Sequence, residues 1–423
     1  MDLEAWENAV RVAVLSAGAD CLSALLEEVG SGRQAEAARC SCGERMESRG
    51  LKRKDFLSIL GPVSYRRTLF QCPACGKTRY PGDEVLDLVG TRRSPGLRRM
   101  MARAGAQSSF QQGREDLRIY AGLQVSTKDL ERVAETMGES MERWRKQEQE
   151  TLLVQPPKSM GQQCIPTLYI ELDGTGIPMI PRELQGRRGK QAEGSAKTRE
   201  VKVGCVFTQT TTDKDALPVR DPQSTTFVAA IEAAEEFGWR LYAEALRRGL
   251  LGARRVVVLG DGAEWIRNLV EMHFPGALQI IDVYHAREHV SELCKLLWPQ
   301  DLERVQQERS RWWKLLDEDG VETIIQEALL HGSAAPDNAR EKVQKEIGYL
   351  QKNQQRMRYA RFRASGLFVG SGVVEAGCKS LVGQRLKQSG MKWSLRGANA
   401  ILALRCIIRS RRMEDYWESR LSA

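Results

Sequence analysis

The sequence predicts an α/β protein of several domains, in which a sheet core is split by a long helical stretch and preceded by a cysteine-rich module and a helical region. Three observations carry that prediction. Two short apolar runs each end in Asp-Gly, at Asp173-Gly174 and Asp261-Gly262. From residue 287 to about residue 363 the chain is polar and helix-forming throughout. Nearer the start, Cys40-x-Cys42 and Cys72-x-x-Cys75 flank a stretch of strand formers. At 423 residues the chain exceeds one ordinary core, and two to four domains are expected.

Bulk properties narrow the class. Apolar residues make up 42%, enough for packed cores, and there is no unbroken run of about 18 apolar residues, so no membrane-spanning segment is expected. Met1-Asp2-Leu3-Glu4 does not resemble a secretion signal, and a cytoplasmic location is expected. Ten cysteines in such a chain argue against a disulfide framework. Cys21, Cys164, Cys205, Cys294, Cys378 and Cys406 are scattered and read as buried thiols. The net charge of +9 is unevenly placed. Residues 51–100 hold eleven Lys/Arg against four acids, and residues 351–410 hold twelve against Glu375 alone. Such concentrations neutralise phosphates and favour nucleic acid; a solvated basic face is the plainer alternative.

Residues 1–34 form an N-terminal helical segment, with Leu3, Trp6, Val10, Val14, Cys21, Leu25 and Leu26 at helical spacings and Gly30-Ser31-Gly32 as its stop. Packing or self-association is its expected role. Residues 35–90 read as a zinc ribbon. The Cys40/Cys42 knuckle leads into strand formers from Phe56, a turn at Gly61-Pro62, a second strand from Val63, and the Cys72/Cys75 knuckle. Four thiolates suit tetrahedral zinc and leave no open position, so the ion is structural.

Residues 91–152 are helical. Ala121-Gly122 to Leu130 resembles the turn and second helix of a helix-turn-helix, with Ser126 as N-cap, Asp129 as its capping-box partner, and Ser126 and Lys128 as candidate DNA contacts. Plain helix packing produces the same pattern. Leu153 to Gln163 is a linker, with Pro156-Pro157 and Gly161.

Residues 164–285 form the first part of the core. Strands are expected at 168–176, 201–207, 255–262 and 278–285, and helices at 227–249 and 263–273. Residues 185–198 within it read as basic and flexible. Residues 286–365 are a helical insertion centred on Trp312-Trp313, and residues 366–423 complete the core with basic helices. Trp312-Trp313 fit either a helical core or stacking on a flipped base.

The chemistry lies in three carboxylates. Asp173 and Asp261 sit at strand ends, where ligand sites collect, although Asp-Gly is also ordinary turn chemistry. Glu375 follows Gly370-Ser371-Gly372 at a helix start inside the basic run. Together they have the makings of a site for two divalent cations that activate a nucleophile and stabilise a leaving oxygen on phosphate. Carboxylates select magnesium or manganese. Arg385, Lys387, Lys392 and Trp393 mix cations with an aromatic and suit a DNA backbone.

The order strand–Asp, strand, helix, strand–Asp, helix, strand, helical stretch, helix–Glu is that of an RNase H-like nucleotidyltransferase with an insertion before its last helix. Over about residues 35 to 410 the sequence resembles the bacterial insertion-sequence transposases of the ISKra type, related to the Mutator-like superfamily. The residues that carry the resemblance are Leu172-Asp173-Gly174-Thr175-Gly176, Gly260-Asp261-Gly262-Ala263-Glu264-Trp265-Ile266, Asp282-Val283-Tyr284-His285, Gly370 to Glu375, and Arg385 to Trp393. The resemblance implies a ribbon, a helical DNA-binding segment and a D-D-E core that excises and inserts a DNA element. Such an enzyme acts on double-stranded DNA at terminal inverted repeats and at a target, as at least a homodimer, in the nucleoid. It also implies an auxiliary place for Asp282 and His285, either near the metals or ordering the strand-to-helix junction. A non-catalytic DNA-binding regulator and a structure-specific nuclease of the same fold are the rival readings.

Overall fold

The computed structural model describes residues 2–29, 39–157, 165–189, 194, 196–332 and 337–421. Cys164, Lys190, the Gly30-Ser31-Gly32 stop and much of the expected linker lie outside them. The chain divides into two compact units, Met1–Gly138 and Glu139–Ala423.

In the first unit, helix α1 (Leu3–Val29) packs Ala19, Leu22 and Leu26 against Phe56, Val63, Tyr65 and Leu88 of the ribbon. Its N-terminal half leaves Leu3, Trp6, Val10, Val12 and Val14 exposed. The 26 residues Leu3–Glu28 are, by length and composition, apolar enough to cross a membrane, and only 6% of the most apolar stretch is buried. This corrects the expectation that no such segment exists. Glu4, Glu7, Arg11 and Asp20 interrupt the apolar side chains, so no unbroken apolar run is visible although the helix as a whole is apolar.

Strands β1 (Glu47–Ser58), β2 (Gly61–Gln71) and β3 (Thr78–Arg79) form an antiparallel sheet in that order. Ser58 pairs with Gly61, so the turn falls on Ile59-Leu60 and not on Gly61-Pro62. The Ser58 hydroxyl closes it by accepting the Leu60 N–H (3.1 Å) and donating to the Gly61 carbonyl (2.9 Å). Gly61 has φ 126°, which glycine alone tolerates easily. β1 begins nine residues before Phe56, because the charged stretch Lys52-Arg53-Lys54 pairs with β2 in spite of its polarity. Helix α2 (Pro81–Val85) carries the buried Asp83, which pairs with Lys54 (2.9 Å) and Arg67 (2.8 Å).

Helices α3 (Pro95–Gln107), α4 (Phe110–Ala121) and α5 (Thr127–Val154) come next in the chain. They meet over Leu97, Met101, Leu117, Leu123 and Leu130. Ser126 caps α5 by accepting the Asp129 N–H (3.1 Å). The Asp129 carboxylate does not complete a capping box, since it is committed to Arg93 at 2.7 Å. The charged partner outcompetes a neutral N–H.

The second unit is built on five strands: β4 (Ile165–Pro178), β5 (Thr198–Gln209), β8 (Thr226–Ala230), β9 (Ala253–Gly260) and β10 (Leu278–Ile281). A small hairpin, β6 (Thr211–Thr212) and β7 (Pro218–Val219), interrupts the run after β5. The sheet order is β10-β9-β4-β5-β8. β5 and β8 run antiparallel to their neighbours, whereas β9 and β10 continue the sheet parallel to β4. Period-two alternation divides β4 between two environments. Leu168, Ile170 and Leu172 enter a core with Phe237, Leu241, Ile266 and Leu269 from α6 (Ala234–Arg247) and α7 (Glu264–His273). Tyr169, Glu171 and Asp173 alternate to the other face. The expected helix at 227–249 loses its first residues to β8, since a short apolar run does not distinguish strand from helix and pairing with β5 decides it.

Helices α8 (Val283–Leu297), α9 (Leu302–Asp317), α10 (Val321–Gly332), α11 (Asp337–Asn353) and α12 (Tyr359–Ala364) form a helical insertion after β10. Trp312 is fully buried there and donates to Glu327 (2.7 Å), while Trp313 donates to the Arg287 carbonyl (3.1 Å) with Arg287 and Arg309 over its ring. Both tryptophans serve helix packing. The chain returns through α13 (Gly372–Gly377), a six-residue π-helix (Cys378–Gly383), α14 (Gln384–Leu386), α15 (Leu395–Arg409) and α16 (Met413–Leu421). Buried Arg240 of α6 pairs with Glu142 (2.6 Å) and Glu232 (2.7 Å), and Arg412 pairs with Glu148 (2.6 Å), which ties the second half of α5 into this unit.

Candidate active site

Each of the three parallel strands delivers an aspartate to the same sheet edge. Asp173 lies two residues beyond Glu171, the last residue of β4 paired with β9; Asp261 directly follows β9, and Asp282 directly follows β10. Asp261 accepts the Ala263 N–H (2.8 Å), and its carbonyl accepts the hydroxyl of Tyr349 from α11 (2.9 Å). Asp173 accepts the N–H of Gly174 at 2.7 Å. Both aspartates are half-buried.

Glu375, in the first turn of α13, is brought together with Asp282 and His285, and among the described residues it does not form one ligand group with Asp173 and Asp261. Its carboxylate, the His285 ring and the Asp282 carboxylate offer donor atoms within 4.8 Å of one another, a group that could hold a metal ion. The sequence places His285 at the end of a strand, but the strand stops at Ile281, Asp282 caps α8, and His285 sits in the first helical turn. Asp282 is wholly buried and heavily engaged. One oxygen accepts the Tyr284 and His285 N–H groups (2.7 and 2.9 Å); the other accepts both the N–H and the hydroxyl of Ser371. Four such bonds use up the carboxylate's lone pairs. Of the two readings of Asp282, the geometry therefore favours ordering of the junction, which leaves Glu375 and His285, whose Nδ1 lies 3.4 Å from Glu288, to face an ion.

Asp173 is tied to the Glu375 helix by a different contact. Cys378, one turn beyond Glu375, has its thiol pushed up first by burial and then by the charge and hydrogen bond of Asp173. The π-helix starting at Cys378 gives the helix a wider turn here, a distortion often found at functional sites.

Glu171 is a residue that the sequence does not single out. It is wholly buried on the Asp173 face of β4, and its Oε2 accepts the Val374 N–H at 2.8 Å. Burial pushes its carboxyl group up to about 8, with Asp282 contributing. The one signal for it is a lone acid inside the apolar run Leu168-Tyr169-Ile170-Glu171-Leu172.

The proposed DNA-contact residues divide. Lys387 and Lys392 are exposed, and Lys387 donates to the Thr175 hydroxyl beside Asp173. Arg385 and Trp393, expected at the surface, are instead buried, the guanidinium lying over the indole at 5.0 Å. Trp393 also donates to the Leu386 carbonyl (3.0 Å). Packing the π-helix turn against the sheet takes both out of solvent. In the first unit, Ser126 is occupied as a cap and Lys128 pairs with Glu131 (2.8 Å) on an exposed helix face.

The four ribbon cysteines converge. Cys40 and Cys75 sulfurs lie 3.5 Å apart, and those of Cys42 and Cys72 lie 3.6 Å apart. Four thiolates bound to zinc at about 2.3 Å in tetrahedral geometry would stand roughly 3.8 Å from each other. The group therefore fits a zinc ion with little adjustment. Both knuckles turn alike: the Gly43 N–H reaches the Cys40 carbonyl (2.9 Å) and the Gly76 N–H the Cys72 carbonyl (3.0 Å), each glycine at positive φ. One intervening residue or two makes no difference to this closure.

The fold and site thus define a mixed α/β protein with a carboxylate-lined sheet edge and a separate four-cysteine centre. The chain belongs to the uncharacterised protein family UPF0236, whose sequence profile matches residues 1–415. No curated protein matches it. Among solved structures it is similar to the Drosophila P element transposase strand transfer complex, with 10% identity, a TM-score of 0.33, and coverage of 78% of this chain and 95% of that one.

Proposed function

We propose that this chain is a DNA transposase of the ISKra type, with an RNase H-like core whose Asp173, Asp261 and Glu375 hold divalent metal ions for DNA end cleavage and strand transfer. The observation that carries the reading is the sheet. Counting core strands in chain order, it runs third-second-first-fourth-fifth, with only the second running against the other four. Asp173 lies in the first strand just past its pairing with the fourth, Asp261 directly follows the fourth, and a glutamate returns on a helix after a helical insertion.

Magnesium or manganese bound there would activate a water or a 3′-hydroxyl and stabilise the leaving oxygen. The chain's own residues do the rest. Asp173 stands within β4 and Asp261 at the end of β9, and Tyr349 holds the Asp261 turn through its carbonyl. His285 adds a nitrogen donor beside Glu375, which makes manganese at least as good a fit as magnesium. Lys387 and Lys392 supply positive charge next to a negative centre, where a phosphate backbone needs it. The ribbon and the α3–α5 helices, with Ser126 and Lys128 at the start of α5, are assigned to recognition of terminal inverted repeats, and synapsis of two ends calls for a dimer or larger assembly.

The test is a strand-transfer assay on DNA carrying the repeats that flank the gene, with magnesium or manganese, beside Glu375→Gln. End cleavage and joining that vanish in the variant are expected. Binding without cleavage by either protein would favour a non-catalytic regulator, and cleavage of branched DNA without joining a structure-specific nuclease.

A further inference from the structure

Along one face of β4, residues 169, 171 and 173 each meet the segment that returns about 200 residues later in the chain. The Tyr169 hydroxyl accepts the Phe368 N–H at 3.3 Å. Glu171 accepts the Val374 N–H at 2.8 Å, and Asp173 meets Cys378. A single strand face thus holds the approach, the first turn and the second turn of the helix that bears Glu375. From the neighbouring strand end, Asp282 takes the N–H of Ser371, the residue that starts this helix.

Two buried carboxyl groups therefore grip the N–H groups at one helix start. An unmet N–H there is expensive, and acidic groups are favoured at that end of a helix. A short helix of six residues before a π-turn has little rigidity of its own, so its bearing depends on what grips it. The second Glu171 oxygen, Oε1, is buried without a hydrogen-bond partner. A carboxyl group needed only for packing would be replaced by leucine or methionine at no loss, which argues for a task beyond filling space.

We propose that Glu171 is a positioning residue of the metal site, fixing the Glu375 helix against Asp173 through the Val374 N–H while Asp282 fixes its first residue. This rests on the reading of Asp173, Asp261 and Glu375 as metal-holding. Glu171 itself faces the helix backbone and does not contact the ions.

The test is Mn2+ binding by the full-length protein, followed through the electron paramagnetic resonance of free Mn2+, with melting temperature measured alongside. Glu171→Leu removes the acceptor and keeps most of the volume. Its half-saturating Mn2+ concentration is expected to rise about 10- to 100-fold, the usual cost of losing a group that orients a ligand. Glu171→Gln retains an oxygen for the Val374 N–H and is expected to recover most of that loss. Should the leucine variant fail to fold, Glu171→Met makes the same deletion with a more adaptable side chain. Wild-type Mn2+ affinity in Glu171→Leu, beside a weakened Glu375→Ala, would overturn the positioning role alone. A glutamine variant as weak as leucine would also overturn it, because charge and not the hydrogen bond would then matter. Equal Mn2+ binding by wild type and Glu375→Ala would overturn the metal-site reading and this proposal with it.

Discussion

At the scale of single residues, buried polar groups do most of the positioning. Arg240, 6% exposed, is held by Glu142 and Glu232 at once. Replacing it with methionine strands two acids in a poorly solvated place and is expected to cost about 3–5 kcal/mol of unfolding free energy, measurable by urea denaturation. Tyr349→Phe deletes one hydrogen bond, to the Asp261 carbonyl, and should cost only about 0.5–1.5 kcal/mol. Its larger effect is expected on metal activation, through a looser Asp261 turn. Asp173→Asn and Asp261→Asn should each lower metal-dependent DNA cleavage by more than about 100-fold, since a direct ligand matters more than a group that orients one. These two aspartates and Glu375 are legible in the sequence because Asp-Gly after an apolar run, and an acid alone in a basic stretch, are local patterns. Glu171 is not, because its partner lies at Val374, beyond the reach of any window.

At the scale of elements, the ribbon and the π-helix behave differently. The ribbon's cysteines Cys40 and Cys72 form one cluster with Met46 and Phe70, too small a core to stand without its cross-link. Chelation of zinc, or Cys72→Ser, is therefore expected to loosen the knuckle end of the hairpin, whose other end stays packed on α1 through Phe56, Val63 and Tyr65, seen as a lost low-temperature transition together with release of one zinc ion per chain on mass spectrometry. The π-helix stores an extra residue in one turn. Deleting Ser380 should convert it to regular helix with the residues downstream keeping their facing, while removing the Ser380 carbonyl that Arg405 holds and disturbing its bond to the Leu381 carbonyl. Loss of strand transfer with retained Mn2+ binding is the expected pattern. Propensity and spacing locate most helices and strands. They fail at β8, where five apolar residues fit either form, and at β1, where a charged stretch conceals a strand.

At the scale of the molecule, the two units rest on separate cores. The second half of α5 belongs to the sheet unit through Glu139–Arg396, Glu142–Arg240 and Glu148–Arg412. A chain beginning at Ser126 is therefore expected to fold, to melt in one transition unaffected by zinc chelators, and to bind Mn2+ as the full chain does. Differential scanning calorimetry with and without chelator distinguishes this from a single cooperative molecule. α1 joins the core of the first unit only through its second half, since its N-terminal half offers apolar side chains to solvent.

The sequence by itself determined the cysteine pairs, the Asp261-Gly262 strand end, the isolated Glu375, and the helical stretch between them. Each of these is written in short-range pattern, where periodicity and turn chemistry act. Asp173-Gly174, expected at a strand end, instead lies inside β4 because its pairing with β5 runs on to Pro178. Tertiary structure alone decided that β4 sits at the centre of the sheet with β9 beside it. It also decided that Asp282 is saturated by helix-start N–H groups, that Arg385 and Trp393 are buried against each other, and that Glu171 meets Val374. Those outcomes depend on which distant segments share a face, and burial and hydrogen-bond satisfaction settle that only when the whole sheet has closed over its helices.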